Sequence, residues 1–80
     1  MLYLYLISQT VNNNYDTYDS AVVCAASIED AAKMHPKVIN WNGSKTKSWC
    51  ESDEVIVECI GVAEAEIQEG SVICSSYNAG

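Results

Sequence analysis

The chain of 80 residues has no arginine, one proline, four glycines and one histidine. Each shortage excludes something. With no arginine, and four lysines against eleven acids, it lacks the cationic surface that gives direct nucleic-acid binding most of its affinity. Gly and Pro are scarce, 49% of residues are apolar or aromatic and 19% are charged, a composition for a folded core rather than disorder. No repeat or low-complexity tract occurs beyond Asn12-Asn13-Asn14. There is no Gly-rich phosphate loop, no G-x-S-x-G elbow and no H-E-x-x-H pair. No apolar run is long enough to span a bilayer. The opening Met1–Ile7 lacks the basic flank and small-residue cleavage site of a secretion signal. The expectation is one soluble cytoplasmic domain over residues 1–80, with no membrane contact.

The cysteines also lack a pattern. Cys24, Cys50, Cys59 and Cys74 stand 26, 9 and 15 residues apart, with no C-x₂-C pair for a structural zinc. Without a secretion signal, reduced thiols are expected, and Cys24, Cys59 and Cys74 lie in apolar runs as small buried hydrophobes. Asp16 and Asp19 could share a hard cation, but two carboxylates fall far short of a calcium site. No cofactor and no metal are expected. A small metal-dependent enzyme is the reading that bound zinc would favour.

What is present is acid. The formal net charge is −7. Residues 1–40 hold four acids and two lysines; residues 41–80 hold seven and two, so the charge gathers in 51–69, where no base intervenes. Such a field steers toward a basic protein and raises its association rate. The same charge also serves simply to keep a small protein soluble.

Along the chain, Leu2, Leu4 and Leu6 alternate with Tyr3, Tyr5 and Ile7, the period of a strand. Both of its faces are apolar, which predicts a central strand covered on both sides. A polar stretch, Gln9–Asp19, leads to a second strand near Ser20–Ala26. Ser27 reads as a helix N-cap, with Ile28, Ala31, Ala32 and His35 on one face and Pro36 ending the helix. Asn42-Gly43 marks a turn in an unpatterned segment, Pro36–Asp53. Further strands follow at Glu54–Val62 and Ser71–Tyr77. The order ββαββ predicts an α+β fold, a four-stranded antiparallel sheet with one short helix. One two-turn helix cannot cover both sheet faces, so the second is polar, covered by the 36–53 segment, or packed on another chain.

No constellation supports catalysis. His35, the sole histidine, sits on the apolar side of the helix and reads as structural. The distinctive motif is Tyr15-Asp16-Thr17-Tyr18-Asp19, two Tyr-Asp pairs in a loop before a strand. Tyr offers amphipathic area and Asp an acceptor for Lys or Arg, a composition suited to a protein interface. A capped turn with tyrosines folded onto the sheet is the alternative. Of Trp41 and Trp49, one is expected in the core. Trp49, near Glu51, Asp53 and Glu54, is the candidate exposed anchor. The candidate partner-binding residues are therefore Tyr15, Asp16, Tyr18, Asp19, Trp49, Glu51, Asp53, Glu54, Glu58, Glu64 and Glu66.

Tyr5-Leu6-Ile7-Ser8-Gln9, then Tyr15 through Val23, the Ala31-Ala32 helix ending in His35-Pro36, and Val72 through Gly80 resemble a family of small phage and prophage proteins. The resemblance covers most of the chain. In size and ββαββ pattern it is similar to anti-CRISPR proteins that inhibit the type I-C Cascade. It implies a non-enzymatic inhibitor in the host cytoplasm that binds a Cascade subunit, a basic nucleic-acid-binding protein, and blocks its DNA binding. It marks no Cascade-contacting residue. The alternative is a homodimeric phage accessory or regulatory protein, with no CRISPR role, that associates through an uncovered sheet face.

Overall fold

The period-two runs form four strands: β1 (Tyr3–Ser8), β2 (Thr17–Ala25), β3 (Ile56–Val62) and β4 (Val72–Asn78). One helix, α1 (Ile28–Ala32), lies between β2 and β3, and a 3₁₀ turn (Ser52–Glu54) precedes β3. The computed structural model describes residues 1–12, 17–37, 41–64 and 66–78. The expected α+β class and ββαββ chain order are found, with the strands in spatial order β3-β1-β2-β4 and every neighbour antiparallel. β1 and β2 form the central pair, and β3 and β4 are the two edges.

The register sorts the side chains. Tyr3, Tyr5 and Ile7 of β1 share a face with Ala25, Val23 and Ala21 of β2. That face holds the core: Tyr5, Ile7, Ala21, Val23, Ala25, Ala31, Trp49 and Cys50. Met34, Trp41, Val55 and Val57 pack against it. Thus α1 and the segment before β3 cover the same side of the sheet. The other side is open toward β3 and β4, although Cys24, opposite Leu4 on that side, is buried. Glu58, Leu6, Val22 and Cys74 form one row across it, and Ile56, Ser8, Ser20 and Ser76 form the next. β1 is central as expected but covered on one face only, because the two available covering segments share a side.

α1 starts as expected. Ser27 is extended, and its Oγ accepts the Asp30 N–H at 3.2 Å. It ends sooner, at Ala32, with Lys33 as C-cap. His35 and Ile28 therefore do not share a helical core face with Ala31: Ile28 is 55% exposed, while His35 is buried beyond the helix. Five residues cannot hold a helix in isolation, so its contacts with β1, β2 and β3 sustain it.

Two buried amides hold the covering segment down. The Gln9 amide donates to Asn12 O (2.7 Å) and Tyr18 O (2.9 Å) and accepts the N–H groups of Val11 and Asn12. The Asn12 amide nitrogen is shared among the carbonyls of Thr46 (3.3 Å), Lys47 (3.1 Å) and Trp49 (3.3 Å). Asn42-Gly43 makes the expected turn. Gly43 has φ +87°, and a Cβ there would lie 2.9 Å from Ser52 Oγ.

Candidate functional site

The 3₁₀ turn brings three acids together. Carboxylate oxygens of Glu51, Asp53 and Glu54 lie within 4.8 Å of one another, all on exposed side chains. The turn orders itself: Glu54 Oε1 accepts the Glu51 N–H at 3.2 Å, and the Glu54 N–H donates to Glu51 O at 3.0 Å. None of the three has a lysine partner among the described residues. A divalent cation such as calcium takes about six to eight oxygens, more than this turn presents.

Glu58 follows in the middle of β3, opposite Leu6 on the open face and exposed. Glu64 and Glu66 are exposed past the far end of the strand. At about 3.3 Å per residue, β3 is roughly 23 Å long. The acids thus form a cluster before β3, one residue at its middle and two in the connection that leads from β3 across the sheet end to β4. β3 is an edge strand, so no further strand covers its outer side.

The other candidates divide. Tyr15 and Asp16 lie outside the described residues. Tyr18 and Asp19 belong to β2 rather than to a loop, because the strand starts at Thr17 and Asp19 O accepts the Gln9 N–H at 3.2 Å. Asp19 is exposed; Tyr18 packs against the core beside His35, with ring centroids 6.4 Å apart. Trp49 is not a surface anchor. It is 0% exposed, drawn under by the Asn12 amide on its carbonyl, with its indole N–H unpartnered. Trp41 is the half-buried member of the pair. The thiols divide: Cys24 is buried as expected and Cys50 is buried too, whereas Cys59 and Cys74 are exposed on the edge strands. All four are free, and burial pushes Cys50 up to about 11.

His35 is the residue nearest to nucleophile chemistry. Its Nε2 lies 3.0 Å from Thr46 Oγ1 and 3.5 Å from Ser48 Oγ. Its Nδ1 accepts the Lys37 backbone N–H at 3.0 Å. That bond assigns the neutral ring's proton to Nε2, so Nε2 donates and has no lone pair to take a hydroxyl proton. A general base needs the opposite tautomer. Burial, and then the charge of Lys37, hold the ring's pKa below its ordinary value.

Sequence reading missed Gln9 and Asn12, since a polar loop carries no sign that its amides will be buried. Among the described residues, no helix is long and apolar enough to cross a membrane. No protein-family model, curated protein or solved structure matches the chain.

Proposed function

We propose that this protein is a non-enzymatic binding domain whose β3 edge docks a basic, nucleic-acid-binding protein. The observation that carries the reading is the exposed Glu51–Asp53–Glu54 cluster before β3, with Glu58 exposed within that edge strand. Exposed carboxylates gathered in this way offer a groove of Lys and Arg what a nucleic-acid backbone offers it. The His35 tautomer supports the absence of catalysis. The resemblance to phage proteins supplies the target class: CRISPR effector complexes hold nucleic acid in positively charged channels. The protein then acts as an anti-CRISPR inhibitor that occupies the Cascade channel and excludes DNA.

The test is DNA binding by purified type I-C Cascade with increasing amounts of this protein. Inhibition is expected. The triple variant Asp53→Lys, Glu54→Lys, Glu58→Lys is expected to lose it by about three orders of magnitude, since each close charge pair at an interface contributes about 1.5 kcal/mol or more. Undiminished inhibition by a folded triple variant sinks the electrostatic reading. No inhibition by the unaltered protein removes Cascade as the target.

A further inference from the structure

In β4, unlike the other strands, every described side chain is exposed: Val72, Ile73, Cys74, Ser75 and Ser76. The helix packs mainly over β1, β2 and β3. As an edge strand, β4 also presents an unpaired row of backbone N–H and C=O groups, which templates another strand. Residues 71–80 contain no charged residue and no proline, two devices that usually blunt such an edge. The opposite edge is guarded. β3 has Glu58 at its middle, acids at both ends and a bulge opposite Leu4 and Tyr5. The pairing of β4 with β2 shifts register twice, between Val22 and Val23 and between Tyr18 and Ser20, which leaves Cys74–Ser76 as the stretch in unbroken register. A groove of about 230 Å³ lies beside that run on the open face, lined by Leu6, Ser20, Val22, Cys74 and Ser76 among others.

We propose that β4 pairs antiparallel with β4 of a second copy across a two-fold axis, giving one continuous eight-stranded sheet. Charge selects this occupant. A basic partner is drawn to the β3 edge, and nothing in 71–80 would hold it. A second copy, itself at −7, meets no charge of its own sign within residues 71–80, the nearest acid in sequence being Glu69. With strands about 4.8 Å apart, the two acidic edges of the double sheet stand roughly 34 Å apart, about four Debye lengths at physiological salt. Asp19, on the neighbouring β2, falls about 14 Å from its counterpart, still beyond one Debye length. The same strand on both sides makes an isologous, self-closing contact. The docking edge stays free in each copy.

The experiment is sedimentation equilibrium of the 80-residue chain from about 1 to 200 µM, because a reversible dimer declares itself by concentration. Twice the chain mass is expected. Ser76→Glu sets two like charges in the seam and is expected to raise the dimer Kd about tenfold or more. Glu58→Lys, on the far edge, is expected to leave it unchanged. Amide exchange in the unaltered chain is expected to slow at Cys74–Ser76 as concentration rises, a readout independent of any substitution. A monomer throughout the range, without such protection, overturns the proposal. So does a dimer that survives Ser76→Glu and dissociates with Leu6→Lys, since that places the contact on the open face.

Discussion

His35 is the single residue whose protonation the fold has to refuse. Its Nδ1 accepts a backbone N–H and its Nε2 hydrogen points at Thr46, so the neutral ring satisfies both neighbours. A second proton would turn Nδ1 into a donor facing the Lys37 N–H. The rings of Tyr18, Trp41 and Trp49 stand 5.6–6.4 Å away around a residue that is 3% exposed. The folded pKa therefore lies below the ordinary 6.5. A depressed pKa means that the unfolded chain binds the extra proton first. The stabilisation is fully present above pH 6.5 and is lost as pH falls from there through the folded value. Because His35 is the only histidine, this window belongs to it. Urea unfolding between pH 7.5 and 5.5 is expected to show stability falling with pH, and His35→Gln is expected to flatten that slope. An equal slope in the variant would show that other groups carry it.

At the scale of elements, the segment before β3 does what a second helix would do in a larger domain. It covers the core with Trp49, and two side-chain amides hold it in place. Asn12→Ala removes one donor from three carbonyls and leaves buried acceptors behind. It is expected to cost about 1–3 kcal/mol, read as a lower urea midpoint, without loss of the sheet's circular dichroism. An exposed loop tie would cost nothing measurable. These contacts also explain what the sequence revealed and what it hid. The strands were legible because Leu4, Leu6, Tyr5 and Ile7 alternate, a local signal that the sheet obeys. The Ser27 cap was legible for the same reason. Trp49 was not: its burial rests on Asn12, 37 residues away, and no short-range pattern reports such a contact. The helix end at Ala32 was misplaced because Pro36 constrains only its predecessor, while the chain turns aside earlier to seat His35. The acids were visible as a run, but the placement of Glu58 in an edge strand required knowing that β3 lies outside β1.

The whole molecule sets an acidic turn before β3 and an uncharged run in β4, with three strand intervals between the two edges. The two proposed contacts should therefore answer oppositely to ionic strength. Docking at β3 draws on attraction between exposed charges, which salt screens, so raising sodium chloride from about 50 to 500 mM shortens the Debye length from roughly 14 to 4 Å. Affinity for the basic partner is expected to fall at least tenfold over that range, mainly through a slower association rate. Self-association through β4 rests on backbone hydrogen bonds and apolar contact between two bodies that repel at long range. Screening that repulsion leaves it unchanged or tightens it. Both can be followed in one salt series, the first by surface-bound partner kinetics and the second by sedimentation. If the two affinities fall together, β3 and β4 do not act separately, and a single acidic surface governs both contacts. If only the first falls, each copy in the dimer keeps a free acidic edge, and one dimer can engage two basic channels at once.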